Sequence, residues 1–263
     1  MNKLRLSTLV SAIAFAAVIL HAGSLRAQDQ ALTLTPAMRA QVLKLAQNNP
    51  AGLQALVASN PTLATAIAVF ATQSVPGSAV AIAQFVSAGA PPTLAAGIAA
   101  AVVLVSPTSA AAVAAAVAVA QPGQAAGIAA AVTQIAPTSA VQIATSVVTA
   151  VPGQTLQVAA AMAQVAPTQT LSIATAISQT ATGTPAAQIA AAMVTPTSSQ
   201  AALANAVGVT QAAVNTASQS TAVANAQAAA TAQVQQAAPQ VVVAQQVVAA
   251  PPTRTATCTG SPC

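Results

Sequence analysis

The segment Pro92–Val151 constrains the fold most strongly, because it is a tandem duplication. Residues 92–121 and 122–151 share 16 of 30 aligned residues, including the blocks AAGIAAAV and PTSA. Each half divides again into two intervals of equal length, which begin at Pro92 and Pro107 in the first half and at Pro122 and Pro137 in the second. A fixed period of this kind is typical of repeat proteins, in which similar small units stack on one another.

Proline carries this rhythm well beyond the duplicated segment. The same spacing holds from Pro61 to Pro167, with a single extra position where Pro91 precedes Pro92. The first and last intervals are irregular, as is common at the ends of repeat arrays. We therefore predict a repeat array over residues 36–196. Its intervals begin at Pro36, Pro50, Pro61, Pro76, Pro92, Pro107, Pro122, Pro137, Pro152, Pro167, Pro185 and Pro196.

Each interval is predicted to form a short α-helix. Alanine, the strongest helix former, fills the interval interiors. Proline is tolerated in the first turn of a helix, and it disfavours helical geometry in the residue before it. Where the polar residues follow the proline, as Thr138 and Ser139 do, we expect the helix to begin one or two residues later. Elsewhere the predicted N-caps are Thr35, Asn49, Asn60, Ser106, Thr184 and Thr195.

The apolar residues follow a helical period within each interval. With proline as position 1, positions 7, 11 and 14 hold Ile128, Val132 and Ile135, which would share one helix face. Gly97 and Gly127 at position 6 would let a neighbouring helix approach closely. Because helices of about 11 residues are marginal alone, we expect them to pair. The predicted helical hairpins are 61–90, 92–121, 122–151 and 152–181.

The sequence therefore predicts an all-α fold, an array of proline-delimited helices stacked as an α-solenoid-like repeat. A β-solenoid with one coil per proline interval is the alternative, because Val141 and Ile143 begin a local period-2 alternation. Alanine runs such as Ala129 to Ala131 and the scarcity of glycine favour helices.

The N-terminal segment 1–27 is predicted to be a bacterial-type secretory signal peptide. Lys3 and Arg5 precede an apolar stretch from Leu9 to Leu20, and small residues follow. Cleavage is expected after Ala27 or, alternatively, after Ser24, and an uncleaved membrane anchor is the other interpretation. We therefore expect an extracytoplasmic protein, in the periplasm, in the cell envelope or secreted, with a polar lead over residues 28–35.

The C-terminal part lacks the period. Residues 197–250 are a low-complexity segment rich in Ala, Gln and Val, of which residues 198–236 are predicted to be either one longer polar helix or frayed. Within it, Gln240–Ala250 is β-prone and uncharged. Residues 251–263 are predicted to be a flexible tail in which Cys258 and Cys263 form a small disulfide loop, or else bridge two molecules.

The amino-acid composition argues against most catalytic and metal-binding functions. Only 3% of residues are charged, against about a quarter in ordinary globular domains, and none lies between Lys44 and Arg254. Removal of residues 1–27 would remove His21 and leave Asp29 as the sole acidic side chain. The sequence therefore predicts no catalytic site, no cofactor, no metal site and no small-molecule substrate. Nucleic-acid binding is excluded as well, since there is neither a basic patch nor an aromatic platform.

Three functional hypotheses follow from the repeat. The first is a secreted or envelope structural protein that binds itself or another envelope or extracellular protein, with association that responds little to salt. The second is a membrane-inserted or membrane-associated helical protein, although proline divides the array into pieces shorter than a membrane span. The third is an ice- or surface-binding protein. Its face would consist of Thr62, Thr93, Thr108, Thr138 and Thr168, which we interpret primarily as helix caps.

Overall fold

The computed structural model of the chain describes residues 34–195 and 198–249, and fourteen α-helices lie within these ranges. The first seven are α1 (Pro36–Asn48), α2 (Gly52–Ser59), α3 (Ala64–Ser74), α4 (Ala79–Gly89), α5 (Ala95–Val105), α6 (Ala110–Ala120) and α7 (Ala125–Ile135). The other seven are α8 (Ala140–Ala150), α9 (Thr155–Val165), α10 (Thr170–Thr180), α11 (Ala186–Ala192), α12 (Gln200–Ala206), α13 (Gln211–Ser218) and α14 (Thr221–Ala249). The described residues contain no β-strand, so the all-α prediction is confirmed over the β-solenoid.

Each helix from α3 to α10 is preceded by one turn of 3₁₀ helix that starts at the repeating proline, as at Pro107–Ser109. The residue before this proline leaves helical geometry, as predicted: Ser106 has φ −132° and ψ 71°. Its N–H donates to the carbonyl of Val102 at 2.8 Å, and its carbonyl accepts from the N–H of Ser109 at 3.1 Å. Backbone groups therefore close both sides of the corner.

This corner geometry corrects most of the predicted caps. Thr35 is confirmed, because its side chain accepts from the N–H of Met38. The other five are wrong. Asn60 and Ser106 cap no N–H with their side chains, and the N-cap residues of α2, α11 and α12 are Ala51, Pro185 and Ser199 rather than Asn49, Thr184 and Thr195. In α3 to α10 the α-helix begins three positions after the proline, later than predicted, since the 3₁₀ turn uses the intervening residues.

The helices form two layers. The odd layer contains α1, α3, α5, α7, α9, α11 and α13, the even layer contains α2, α4, α6, α8, α10 and α12, and each helix packs against the next helix of its own layer. Helices also pack against their sequence neighbours in the opposite layer, which confirms the predicted hairpins. In the turn before α10, Gln169 Nε2 donates to the carbonyl of Pro137 in the turn before α8, at 2.8 Å. Like turns therefore lie side by side within a layer.

The core lies between the two layers and consists of small aliphatic side chains. Position 7 is fully buried in both layers, for example at Ile128 in the odd layer and Ile143 in the even layer. Position 11 is also fully buried at Val132 and Met162, as predicted. Position 14 lies on the same face but at its margin, because Ile135 is half-buried and packs against the core.

The C-terminal segment is helical and packed. Helix α14 lies across the outer side of the odd layer and contacts α3, α5, α7, α9 and α11. The segment is neither frayed nor one helix over residues 198–236, because α12, α13 and the first part of α14 divide this range. Gln240–Ala249 is helical rather than extended. Burial against the array outweighs the β-propensity of its valines, because propensity is a weak preference that tertiary packing overrides.

Candidate interaction surfaces

Titratable groups are scarce on the described surface. Arg39 and Lys44 in α1 are the charged side chains within the described ranges. No group of three or more metal-ligating side chains occurs among these residues. Cys258 and Cys263, for which a disulfide is predicted, lie outside the described residues, as does the predicted signal peptide 1–27. The surfaces that remain for function are therefore neutral.

The odd layer is covered on its outer side by α14. The buried side chains of α14 recur with spacings of three and four positions, which places them on one helix face, and the single interval of seven contains the half-buried Gln233 and Val234. The buried side chains are small, so the helix lies close to the array. The buried residues of α14 are Val223, Ala226, Ala230, Ala237, Val241 and Ala244.

Two glutamines of α14 pair with two glycines of the odd layer. Gln240 Oε1 accepts from the N–H of Gly97 at 2.7 Å, and Gln233 Oε1 accepts from the N–H of Gly127 at 2.9 Å. Gln233 Nε2 also donates to the carbonyl of Gly123 at 2.9 Å. We call Gln240 with Gly97 and Gln233 with Gly127 the Gln–Gly pairs.

The Gln–Gly pairs explain why glycine occupies position 6. A Cβ on Gly97 would lie 3.1 Å from Gln240 Cβ, and one on Gly127 would lie 3.2 Å from the carbonyl oxygen of Gln233. The predicted close approach is therefore confirmed, although its partner is α14 rather than a helix of the array. The two glycines are one hairpin apart along the chain, and the two glutamines are two helical turns apart. Two turns of helix rise about 10 Å, which matches the usual separation of about 8–10 Å between packed helices.

The even layer has no covering helix within the described part of the chain. In α5 every residue from Ala95 to Val103 is buried, whereas in α6 only the core-facing Ala110, Val113, Ala114, Val117 and Ala118 are. The outer side of α6 presents Ala112 and Val119, and Val119 is 50% exposed. We call the outer side of α4, α6, α8 and α10 the even face.

The even face is neutral throughout, and its character changes along its length. On α4 and α6 the outward positions hold Val80, Ala81, Phe85, Ala112, Ala116 and Val119, with Gln84 as the one amide among them. On α8 and α10 the same positions hold mainly hydroxyl and amide side chains, namely Gln142, Thr145, Ser146, Thr149, Ser172, Thr175 and Gln179, together with Val141, Leu171 and Ala176. One end is therefore apolar and the other is neutral and polar.

The five threonines proposed as a flat binding face do not lie together. Thr62 and Thr93 occupy turns before odd-layer helices, whereas Thr108, Thr138 and Thr168 occupy turns before even-layer helices at the opposite edge. The side chains of all five are exposed and cap no N–H group in the turns and helices described. The capping interpretation is therefore wrong, because backbone groups already close these corners.

A cleft of about 410 Å³ opens where the regular period breaks. The interval from Pro167 to Pro185 is longer than those before it, and the extra residues form a loop in which Gly183 has φ +80°. Helix α11 is also shorter than the helices of the regular intervals. The cleft lies between the start of α9, this loop, α11 and the first turns of α14. The irregular proline spacing is visible in the sequence, but it does not predict a cavity.

Within the described residues, no single helix is both long and apolar enough to cross a membrane, although the bent pair Gly52–Ser59 and Pro61–Ser74 passes on length and composition together. No protein family, curated protein or solved structure matches the chain.

Proposed function

We propose that the protein is a secreted or cell-envelope protein without enzymatic activity that associates with further copies of itself through the even face. The observation that carries the proposal is the difference between the layers. The outer side of α5 is buried beneath α14, whereas the matching side of α6 leaves Val119 50% exposed. The two helices belong to one hairpin and carry similar alanine-rich sequences.

A second copy suits the even face because of the chemistry of both surfaces. The odd layer already accepts a neutral surface of Ala, Val and Gln from α14. The apolar end of the even face, at Ala112 and Ala116, offers residues of the same kind to another molecule. Without charges between residues 45 and 253, little electrostatic repulsion opposes this contact. Burial of small apolar side chains would supply the driving force.

The test compares two alanine-to-glutamate variants in exposed helical positions. Ala112→Glu places a charge on the even face, and Ala228→Glu places one on α14, away from that face. We expect size-exclusion chromatography with light scattering to show an oligomer of the full chain that is unchanged between low and high NaCl concentration. Ala112→Glu should weaken the association at least about tenfold, because burying an unpaired charge is costly.

Ala228→Glu should leave the oligomer intact. A monodisperse monomer at high protein concentration would exclude the proposal, and so would equal behaviour of the two variants. An oligomer that dissociates in high salt would indicate an electrostatic contact instead.

The proposed location is tested separately by fractionating the native cell. We expect the protein in a soluble extracytoplasmic fraction, with a mature N-terminus after Ala27 or Ser24. Retention in the membrane pellet after carbonate extraction would favour the membrane-inserted alternative.

A further inference from the structure

We infer that the cleft between α9, the loop at residues 181–185, α11 and α14 binds a small neutral saccharide. This inference does not depend on self-association, because the cleft borders α14 and the odd layer rather than the even face. Its volume of about 410 Å³ lies within the range of about 300–1,000 Å³ for small-molecule sites.

The cleft lies where the Gln–Gly pairing is reversed, at α9. The repeat continues from Gly127 to Gln157, one hairpin later, and α14 continues from Gln233 to Ala226, two turns earlier. The array therefore carries the long side chain here and α14 carries the short one. Both residues line the cleft. Gln157 forms no hydrogen bond to α14 among the described residues, and the short Ala226 cannot form one to α9, so the contact made by Gln233 and Gln240 has no counterpart here.

Five uncharged polar side chains surround this cleft without hydrogen bonds to other described residues. They are the carboxamides of Gln157, Gln188 and Asn225 and the hydroxyls of Thr182 and Thr184. The contrast with the glutamines nearby is sharp. Gln233 and Gln240 bond to the odd layer, and Gln227 Nε2 donates to the carbonyl of Ala191 at 3.2 Å. Three carboxamides without such bonds thus converge on one cleft.

The charge and the hydrogen-bonding capacity of these groups indicate which ligand would fit. None of them is charged, so an ionic ligand would gain no ion pair in the cleft. Every carboxamide and hydroxyl both donates and accepts hydrogen bonds, which matches sugar hydroxyls, since these also do both. Leu156 and Pro152 provide an aliphatic wall for the C–H side of a sugar ring.

The test is a titration of the ¹⁵N-labelled full chain with the neutral disaccharides maltose and cellobiose, followed by nuclear magnetic resonance. We expect at least one disaccharide to cause saturable shifts of the side-chain NH₂ signals of Gln157, Gln188 and Asn225. The absence of saturable shifts with both sugars, up to the millimolar concentrations at which weak saccharide sites fill, would overturn the inference. Saturable shifts with N-acetyl-trialanine amide but with neither sugar would overturn it in favour of a peptide ligand.

Two variants separate binding in the cleft from general effects. Gln157→Ala should raise the Kd at least about threefold, because it removes one hydrogen-bonding group. Gln236→Ala, an exposed glutamine of α14 outside the cleft, should leave the Kd unchanged. Equal effects of the two variants would contradict the assignment of the site.

The double variant Gln157→Gly with Ala226→Gln rebuilds the arrangement found at Gly127 and Gln233. It should fill the cleft and abolish the saccharide-induced shifts while the helical circular dichroism is retained. Undiminished binding to this folded variant would overturn the inference. The association measured for the even face should not change, so failure of one proposal is distinguishable from failure of the other.

Discussion

The two layers of the array consist of similar alanine-rich helices, but the outer sides of these helices have different surroundings. In α7 of the odd layer, every residue from Ala125 to Thr133 is buried, because α14 lies over it. In α6 of the even layer, only the side facing the core is buried. An alanine-rich repeat therefore does not by itself determine which side of each helix is buried. Helix α14, far along the chain, determines it by covering the odd layer, and the Gln–Gly pairs join it to α5 and α7.

Substitutions at position 10 of the repeat should change the stability of the two layers most differently. Ala131 in α7 is fully buried beneath α14, whereas Ala116 in α6 is half-buried on the even face. Ala131→Glu should lower the free energy of unfolding by at least about 3 kcal/mol, since it buries an unpaired charge. Ala116→Glu should change it by about 0.5 kcal/mol or less. Urea denaturation at low protein concentration measures both, and equal losses would contradict the asymmetry of the layers.

The next effect concerns the approach of α14 to the odd layer. Gly127→Ala places a Cβ 3.2 Å from the carbonyl oxygen of Gln233, so α14 must shift. We expect a loss of about 1–3 kcal/mol in unfolding free energy, as for other overpacked contacts. The matched control is Gly123→Ala, where no atom lies within 4 Å of the added Cβ. This variant should be neutral or stabilising by about 0.5 kcal/mol, because it restricts the unfolded chain.

A smaller loss is expected from the Gln–Gly pair itself. Gln233→Ala removes the bonds to Gly127 and Gly123, each 2.9 Å long. The expected cost is about 1–2 kcal/mol by thermal or urea unfolding, and Gln236→Ala on the exposed side of α14 should cost almost nothing. If both variants lost the same stability, helix propensity rather than pairing would explain the effect.

The smallest change in stability is expected at position 12 of the repeat, where both layers bury a hydroxyl group. Position 12 is Thr72 in α3 and Ser87 in α4, and both hydroxyls are buried without a hydrogen-bond partner. Thr72→Val and Ser87→Ala should each raise the free energy of unfolding by about 1 kcal/mol, because they remove an unsatisfied polar group. Chemical denaturation that shows a gain in only one layer would indicate that the shared core is less symmetric than the repeat.

Sequence patterns predicted the array well because its signals are local. Alanine content, the proline at each corner and the apolar spacing of Ile128 and Val132 all depend on residues within one interval. The helical hairpins followed from the length of these intervals. The predicted caps failed for the same reason, since the backbone bonds of the corner at Ser106 satisfy groups that a side chain was expected to cap.

The role of α14 could not be predicted from the segment itself. Its mixture of Ala, Gln and Val is equally compatible with a solvated helix, and its partners in the array lie far away in the sequence. One signal was available. Gly97 and Gly127 recur at the period of the array, and Gln233 and Gln240 recur at the period of two helical turns. The cleft lies where both series end, because the array has Gln157 in place of the glycine and α14 has Ala226 in place of the glutamine.

The match between one hairpin of the array and two turns of α14 has an evolutionary consequence. Helix α14 has 29 residues and rises about 43 Å, which limits how many odd-layer helices it can cross. If one more hairpin were duplicated, its odd-layer helix, with glycine at position 6, would therefore stay uncovered unless α14 also gained two turns. Copy number in this array is thus tied to the length of a segment outside it, and the two are expected to change together, one hairpin for every two turns.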